Sequence, residues 1–439
     1  MKYRKQITRL CWLTANFLAA SLSISHAAED FTYTTNPDST IAITSYTGAG
    51  GVVDIPATIN GLPVTSIGSD AFSYCYGFTS VTMPNSITNM GSRAFYDCRY
   101  LTHLVLSSSL TTIKGSTFRY CAMTSVIIPD SVTIIEDYAF DNCSSLTNVA
   151  FGTNLMSIGY NAFSWCTHLN NIIFSESITT IGNWAFGACS SLSDVAIPDS
   201  VTSVEDYAFA HCSNITNVML GGGITSIGSS VFYNCTKLSS LSVSDLNPLY
   251  RAADGILFNK SMDVLVQAVA NITGKYTIPN GVTNIDDSAF RSCTQLEVVT
   301  IPSSVTSIGD HAFSEGLKEA YFRGSAPSIG AYAFPSQPLS SPTQVFYLPG
   351  TTNWSSTIEG CTTALWQPRL LGDTGFGTGT NLFGFNICWA SGMAIVVEAS
   401  IDLANSSWTP IQTNTMTDDS FYFSDPEWTN YPTRFYRVR

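Results

Sequence analysis

A phenylalanine recurs along most of this chain at a nearly constant spacing. The steps are 23 residues, apart from one of 22, one of 58 and one of 21. The repeated positions are Phe72, Phe95, Phe118, Phe140, Phe163, Phe186, Phe209, Phe232, Phe290, Phe313 and Phe334. A fixed period of about 20 to 29 residues indicates one small structural unit stacked on copies of itself, so the chain is predicted to form a solenoid. A solenoid presents a long continuous surface, and binding is therefore the expected role.

Residues 192–212 illustrate the repeated unit. Apolar and polar residues alternate from Leu192 onward, which predicts a short strand, and Pro198 ends that strand because it has no N–H to donate. Phe209 and Cys212 then follow at a spacing of three, which favours one helical turn on the outer side. The predicted fold is an α/β repeat solenoid, with a curved parallel sheet and short helical turns outside it.

The ends of the chain differ from the repeat. Residues 1–27 combine four basic residues, an apolar run and a small-residue cleavage site, so they are predicted to be a secretory signal peptide, with an uncleaved anchor as the alternative. Residues 28–64 are predicted to form a β-rich N-terminal cap. An antiparallel β-module is predicted for residues 382–439, after a linker that covers residues 350–381.

The array itself is assigned to residues 65–349. It contains one departure from the repeat, between about residues 245 and 280. Two apolar runs there, 255–258 and 264–267, flank a short polar stretch and are predicted to form a hairpin inserted into the stack.

The charge of the chain excludes two classes of partner. The formal net charge is −13, and removal of residues 1–27, which carry four basic and no acidic residues, leaves −17. Nucleic acids and anionic membranes are bound through clustered Lys and Arg, so neither is expected as a partner. No transmembrane span is expected once the signal peptide is removed.

Nine of the twelve cysteines lie three residues after a repeat phenylalanine. They are Cys75, Cys98, Cys121, Cys143, Cys166, Cys189, Cys212, Cys235 and Cys293. The preferred interpretation is a column of buried thiols that act as small apolar fillers. A ladder of disulfides between neighbouring turns is the alternative, and a pair between Cys361 and Cys388 also remains open. Zinc is disfavoured because its ligands must converge on one point rather than follow a line.

The strand side of the array carries the candidate binding surface. The residue between two inward-facing anchors should point outward, and these residues form a largely apolar column. They are Thr82, Val105, Ile127, Ala150, Ile173, Ala196, Met219, Ser242, Thr300 and Tyr321. Exposed apolar strips often mark contact sites, and the column is therefore predicted to bind a partner. The alternative is that β-propensity alone selects such residues for a parallel sheet.

The repeated motif resembles that of a known family. The pattern Ile/Val-Pro-x-Ser-Val-x-x-Ile-Gly/Glu-x-x-Ala-Phe-x-x-Cys occurs in full at 128–143, with one difference at 197–212 and with two at 278–293. It is similar to the BspA-like, or treponemal-type, leucine-rich repeat family, and the run 254–260 resembles an element common in that family. The resemblance covers roughly residues 60 to 345. It implies a leucine-rich-repeat fold and a secreted or surface-exposed bacterial protein, for which adhesion to proteins or cells is the usual proposal.

No catalytic, cofactor or metal site is predicted. His103, His168, His211 and His311 occupy different positions in the repeat, which favours scattered surface histidines. The Thr-Ser-Ile-Gly motif at 65–68, 225–228 and 306–309 lacks the glycine that a nucleophile elbow needs. Acidic pairs at 136–137, 205–206 and 286–287 are interpreted as solvated charges, with weak calcium binding as the alternative.

Three functional hypotheses follow. The first is a secreted or cell-surface protein that binds a protein or peptide through the strand side. The second is a carbohydrate-binding protein, because the aromatic residues of the C-terminal module have the ring faces that stack on sugars, although they can equally fill a β-core. These residues are Trp389, Trp408, Trp428, Tyr422, Tyr431 and Tyr436. A hydrolase is the remote third, and no enzyme activity is expected.

Overall fold

The computed structural model describes residues 28–313, 316–335, 343–371, 377–378, 383–403, 407–418 and 420–439. The predicted signal peptide lies outside the described residues. The described residues are almost entirely strands and turns, with two short 3-10 helices at Ala28–Asp30 and Trp428–Asn430. None of their helices has the length and apolar character needed to span a bilayer.

The strands of the N-terminal part begin with five that precede the regular repeat. They are β1 (Phe31–Thr35), β2 (Ile41–Tyr46), β3 (Gly51–Asp54), β4 (Thr58–Ile59) and β5 (Leu62–Ile67). Longer and two-residue strands then alternate. They are β6 (Phe78–Thr82), β7 (Asn89–Met90), β8 (His103–Val105), β9 (Thr112–Ile113), β10 (Ser125–Ile127), β11 (Ile134–Ile135), β12 (Asn148–Ala150), β13 (Ser157–Ile158), β14 (Asn171–Ile173), β15 (Thr180–Ile181), β16 (Asp194–Ala196), β17 (Ser203–Val204), β18 (Asn217–Leu220), β19 (Ser226–Ile227) and β20 (Ser240–Val243).

The remaining strands form the hairpin region, the second half of the array and the C-terminal module. They are β21 (Tyr250–Ala253), β22 (Ile256–Asn259), β23 (Val264–Ala268), β24 (Gly274–Thr277), β25 (Asn284–Ile285), β26 (Leu296–Ile301), β27 (Ser307–Ile308), β28 (Glu319–Phe322), β29 (Ser328–Ile329), β30 (Gln344–Tyr347), β31 (Thr357–Ile358), β32 (Cys361–Leu365), β33 (Arg369–Leu371), β34 (Gly377–Thr378), β35 (Phe383–Cys388), β36 (Ala394–Ser400), β37 (Thr409–Thr415), β38 (Ser420–Asp425) and β39 (Phe435–Val438).

Each regular turn of the solenoid has three sides. The longer strands form the first side, which we call the strand face, in parallel sheets such as β10-β12-β14 and β16-β18-β20. The two-residue strands form the second side, in one parallel six-stranded sheet from β9 to β19. The segment around each repeat phenylalanine forms the third side, which we call the turn face. The predicted parallel-strand solenoid is therefore confirmed.

The turn face is not helical, so the prediction of short helical turns is wrong. The residues two before and two after the repeat phenylalanine have left-handed backbone conformations, for example φ of 54° at Trp184 and 58° at Ala188. A right-handed helix needs consecutive residues with negative φ. The N–H groups of Trp184, Phe186 and Ala188 instead donate to carbonyl oxygens of the next turn at 3.1, 2.8 and 2.7 Å. The backbone of the turn face is thus hydrogen-bonded from turn to turn, as the two parallel sheets are.

The repeat phenylalanines stack into a continuous column in the core. From Phe72 to Phe232, the ring centroids of successive turns lie 4.7 to 5.9 Å apart with nearly parallel planes. From Phe290 to Phe334 the spacing is 5.3 Å. All of these rings are buried or nearly so. The fixed period therefore reflects one ring of each turn lying over the ring before it.

The repeat cysteines are buried thiols that complete the hydrogen bonding of this column. Cys98, Cys121, Cys143, Cys166, Cys189, Cys212 and Cys235 are free, which confirms the preferred interpretation over a disulfide ladder. Each thiol donates to the carbonyl oxygen of the phenylalanine in the preceding turn, at 3.0 to 3.3 Å. Burial raises the pKa of the Cys235 thiol to about 12, so it is not a nucleophile at neutral pH. Cys361 is also free, so it does not pair with Cys388.

The hairpin region separates two hydrophobic cores. Strand β22 pairs antiparallel with both β21 and β23, and β23 joins the second side of the later turns through β25. Leu257 packs into the core of the N-terminal turns, whereas Ile256 and Phe258 pack into the core of the C-terminal turns. The array therefore consists of two halves that share one intervening strand.

The C-terminal part begins where the strand face ends. Within residues 350–371, predicted as a linker, β32 pairs in parallel with β30 and so extends the sheet. Beyond it, β33, β34 and β38 pair antiparallel with β35, and β37 and β39 pair antiparallel with β36. A third small core, which includes Phe385, Val397 and Phe423, lies between these strands.

Candidate functional site

The strand face of the N-terminal half exposes two parallel columns of side chains. In β10, β12, β14 and β16 the central residue is buried and both flanking residues are exposed. This pattern follows from the alternation of side chains along a strand. Parallel pairing then places equivalent residues of successive turns side by side, about 4.8 Å apart. The face is therefore built from repetition of one short strand.

The predicted column lies where the sequence places it for most of its length. Ile127 and Ile173 are 74% and 73% exposed, and Val105 and Met219 are each 55% exposed. The pairing aligns Ile127 with Ala150 and Ile173, and the next sheet aligns Ala196 with Met219 and Ser242. Exposed members of the column are Val105, Ile127, Ala150, Ile173, Ala196, Met219 and Ser242. Thr82, Thr300 and Tyr321 are partly covered.

A second, polar column runs beside the apolar one, and sequence reasoning missed it. Its members are His103, Ser125, Asn148, Asn171, Asp194, Asn217 and Ser240, at the first position of each strand. The side-chain amide of Asn217 donates to the Asp194 carboxylate at 2.7 Å. The alternation of side chains that identified the apolar column also predicts that the residue two positions earlier in each strand points outward. This was the available signal in the sequence. The face therefore offers apolar contact beside amide and carboxylate hydrogen-bonding groups.

The same column is closed in the C-terminal half. The Tyr321 ring stacks on Phe346 at 4.8 Å, and the Trp366 ring lies 4.7 Å from Tyr321. The guanidinium of Arg369 lies over Phe346 at 4.7 Å. Burial, together with the hydrogen bond to the Glu319 carboxylate, raises the pKa of Tyr321 above its ordinary value. Tyr321 is therefore part of an aromatic cluster and lies at the closed end of the exposed strip.

The acidic pairs hold neighbouring turns together. Asp137, Asp206 and Asp287 each accept a backbone N–H from the following turn, at 2.7 to 2.8 Å. Glu136 and Glu205 accept backbone N–H groups from the preceding turn at 3.0 and 3.1 Å. These residues are therefore structural acceptors as well as solvated charges.

The Thr-Ser-Ile-Gly motifs have a comparable structural role. The threonine hydroxyls of Thr225 and Thr306 each donate to a carbonyl oxygen of the preceding turn at 3.1 Å. A Cβ at Gly228 would lie 2.4 Å from the backbone nitrogen of Asp206, so this close approach requires glycine. The motif thus allows adjacent turns to stack closely.

The histidines lie apart from one another. His103 and His168 are exposed, His211 lies beside Trp184 and Tyr233, and His311 stacks on Tyr332 at 5.3 Å. Burial lowers the pKa of His211, which favours the neutral form of its ring. Within the described parts of the chain, no group of three His, Cys, Asp or Glu side chains is arranged to hold a metal ion.

The aromatic residues of the C-terminal module are divided between its core and its surface. Trp389 is buried and donates to the carbonyl oxygen of Trp366 at 3.0 Å, and Tyr436 stacks on Phe383 at 4.9 Å. Tyr422 and Tyr431 are exposed. An arginine covers two of the rings, with Arg437 over Trp408 at 4.6 Å and Arg434 over Tyr431 at 4.1 Å.

The turn face carries a third set of exposed and partly exposed side chains, which the sequence reasoning did not identify. Aromatic residues flank the repeat phenylalanines, and neighbouring rings touch, such as Tyr138 with Tyr160 at 5.1 Å and Trp184 with Tyr207 at 4.8 Å. Trp165 is 55% exposed. The aromatic residues within three positions of each phenylalanine were the available signal. Because the segment was predicted as helical, these positions were not aligned as one surface.

Solved structures similar to this chain are leucine-rich repeat proteins, and one of them is described as a cell surface protein. A leucine-rich cell surface protein from Faecalibacterium prausnitzii is 26% identical, with a TM-score of 0.54 over 77% of this chain and 93% of its own. The leucine-rich repeat protein TpLRR of T. pallidum is 30% identical over 48% of this chain and 89% of its own, with a TM-score of 0.38. A leucine-rich repeat protein of Bacteroides ovatus is 22% identical over 74% of this chain and 94% of its own, with a TM-score of 0.44.

Curated proteins provide no match to the chain. The family model for the BspA type leucine rich repeat region matches in six copies, over residues 65–175, 133–253 and 269–345. These ranges cover more than half of the sequence and include both halves of the array. The chain therefore belongs to the BspA-type leucine-rich repeat family.

Proposed function

We propose that this protein is exported to the cell surface or secreted, and that it binds a protein partner through the strand face of its N-terminal half. The observation that carries the proposal is the exposed apolar strip from Val105 to Met219, with Ile127 and Ile173 almost three-quarters exposed. Isolated exposed apolar residues are common, but a strip that continues over successive turns is typical of an interaction surface.

The chemistry of the two columns supports a polypeptide as the partner. Apolar side chains of the partner would cover the strip, while its backbone and polar groups would bond to Asn148, Asn171 and Asp194 in the adjacent column. A combination of an apolar centre with polar groups at its margin is typical of protein interfaces. The similarity of this chain to a cell surface protein of Faecalibacterium prausnitzii supports the proposed surface location.

The predicted signal peptide supports export by an independent route. Its basic start, apolar run and small residues before Ala28 are the features that a secretory signal requires. N-terminal sequencing of the protein recovered from its native host tests this part of the proposal. We expect the mature chain to begin at Ala28, and recovery of an intact Met1 would contradict cleavage.

Lysine substitutions on the strip test the binding surface. We expect Ile127→Lys with Ile173→Lys to abolish capture of the surface partner by the immobilised mature protein, because the charges would need to be desolvated on contact. Quantitative mass spectrometry of the captured proteins measures the change. Both residues are largely exposed, so the thermal unfolding midpoint should move little.

A matched variant controls for the added charge. Ile134 and Met156 are 42% and 50% exposed, and both lie away from the strand face. Ile134→Lys with Met156→Lys adds the same charge, and we expect capture to remain as in the natural sequence. Equal capture by the strip variant and the natural protein would rule out this face.

A further inference from the structure

The aromatic rings of the turn face form a surface that the strand-face proposal does not use. Tyr74, Tyr96 and Tyr120 touch edge to face at 5.5 and 5.7 Å in the first turns. Further along, Trp184 stacks on Tyr207, and Tyr207 contacts Tyr233 at 6.3 Å. Since the backbone of this side is hydrogen-bonded from turn to turn, the rings are held at the spacing of the solenoid.

Arginines of the chain itself cover the rings at both ends of this surface. The Arg93 guanidinium lies 4.5 Å from the Tyr96 ring centroid, and Arg119 lies 4.9 Å from Tyr120. Arg119 also lies 4.8 Å from Tyr138, and at the other end Arg291 lies 4.6 Å from Tyr233. A guanidinium over an aromatic ring is attracted by the negative ring face. The turn face therefore already binds guanidinium groups within the molecule.

The centre of the turn face has no such cation in its own sequence. Residues 120–236 contain no Lys or Arg, although they contain nine Asp and Glu residues. Asp137 and Asp206 on this face are exposed, and Glu205, which precedes Asp206 in the sequence, is half-buried. The central rings are Tyr160 and Trp165, which are exposed, and Trp184 and Tyr207, which are half-buried. Rings and carboxylates thus repeat there without the arginines that accompany them at both ends.

We infer that this central turn face, defined by Tyr160, Trp165, Trp184 and Tyr207, binds an arginine-rich segment of a partner polypeptide. Guanidinium groups would lie on the rings as Arg93 and Arg291 do at the ends, and the nearby carboxylates of Asp137 and Asp206 would pair with them. The sign of the charge selects this occupant, because a polyanion would be repelled by the carboxylates of Asp137 and Asp206 on this face. A neutral glycan would stack on the rings but gain nothing from the carboxylates.

This inference is independent of the strand-face proposal, because the two surfaces lie on different sides of each turn. Its test uses the mature full-length chain and a fluorescein-labelled oligoarginine peptide, with binding followed by fluorescence anisotropy. We expect binding that weakens as salt concentration rises. Replacement of two rings, Trp184→Leu with Tyr207→Leu, keeps every charge and should weaken binding roughly tenfold, because each exposed cation–π contact contributes a few-fold.

Three further variants keep the test decisive. Trp184→Phe with Tyr207→Phe retains the ring faces and should retain most of the affinity, which separates the loss of rings from a loss of folding. Tyr100→Leu removes an exposed ring from outside the central turn face and should have no effect. Glu205→Gln with Asp206→Asn keeps the oxygen atoms that accept the backbone N–H groups of Asn183 and Ser229. This variant removes only the two negative charges, and it should also weaken oligoarginine binding.

Three outcomes would overturn the inference. The first is equal oligoarginine affinity of the leucine variant and the natural protein, which would mean attraction by net charge alone. The second is equal or stronger binding of a neutral oligosaccharide at the same rings. The third is loss of oligoarginine binding in the Ile127→Lys, Ile173→Lys variant but not in the Ile134→Lys, Met156→Lys control, which would place the site on the strand face instead.

Discussion

The two halves of the array use the same strand position in opposite ways. In the N-terminal half, Ile127 and Ile173 at this position are about three-quarters exposed. In the C-terminal half, Phe346 at the equivalent position is only 4% exposed, and Tyr321 beside it is partly covered. The backbone pairing is parallel in both halves. Exposure of this column is therefore decided by what covers the sheet and not by the sheet itself.

The cover comes from the chain that follows the array. Trp366 lies just after β32, the strand that continues the sheet, and its ring rests against Tyr321. Arg369 in β33 covers Phe346 and approaches the Glu319 carboxylate at 3.9 Å. Because a solenoid end exposes its last core layer, such a covering segment acts as a cap. The exposed strip of the N-terminal half has no comparable cover within the described chain.

The largest expected effect is on the buried member of the column. We expect Phe346→Ala to lower the free energy of unfolding by about 3 to 5 kcal/mol, since it leaves a cavity under Arg369. Ile173→Ala, at the exposed position, should change it by no more than about 0.5 kcal/mol. Denaturant unfolding of both variants measures the difference. Similar costs at the two positions would contradict the contrast between the halves.

Removal of the cover should have a smaller and local effect. Trp366 is partly exposed, so Trp366→Ala is expected to cost about 2 kcal/mol, roughly half of what a buried aromatic loses. Hydrogen exchange should then speed up in β28 and β30, while β12 and β14 keep their protection, because local opening follows local packing. Uniform acceleration across both halves would show instead that the array opens as one unit.

Much of this architecture could be predicted from the 23-residue period. The stacked phenylalanines, the thiol column and the outward position of Ile127 all follow from repetition and from the alternation of side chains in a strand. The conformation of the turn face could not be predicted, because a spacing of three to four between Ala208, Phe209 and Cys212 fits both a helix and a turn. Bulky residues such as Trp184 rarely have positive φ, so their local preference pointed away from the observed backbone.

The closed end of the strip could not be predicted for a different reason. Tyr321 and Ile173 occupy the same place in the repeat, and a local pattern gives them the same exposure. The residues that separate them, Trp366 and Arg369, lie outside the repeat and reach Tyr321 and Phe346 through tertiary contacts. Burial that depends on a distant, non-repeating segment leaves no signal in the period.

The junction between the halves contains a carboxyl group that differs from its equivalents in the regular turns. Glu205 and Asp286 each lie four residues before a repeat phenylalanine. The Glu205 carboxylate accepts the backbone N–H of Asn183 in the preceding turn. Asp286 follows the hairpin instead of a regular turn, and its carboxylate accepts a hydrogen bond from the Asn284 side chain. Burial, with a smaller contribution from the charge of Asp287, raises the pKa of Asp286 to about 6. The unfolded chain has an ordinary value near 3.9.

Asp286→Asn is therefore expected to stabilise the protein, and this gain should be smaller than the losses expected for Phe346→Ala and Trp366→Ala. Between about pH 4 and pH 6 the folded state binds more protons than the unfolded state, so stability decreases as the pH rises through this interval. Because Asp286 is partly exposed and screened by solvent, we expect a gain of about 1 kcal/mol at about pH 7.5 and almost none at about pH 4. Glu205→Gln, in a regular turn, should give no such gain. Denaturant unfolding at the two pH values measures both variants, and a loss of stability in Asp286→Asn at neutral pH would show that the junction needs the charged carboxylate.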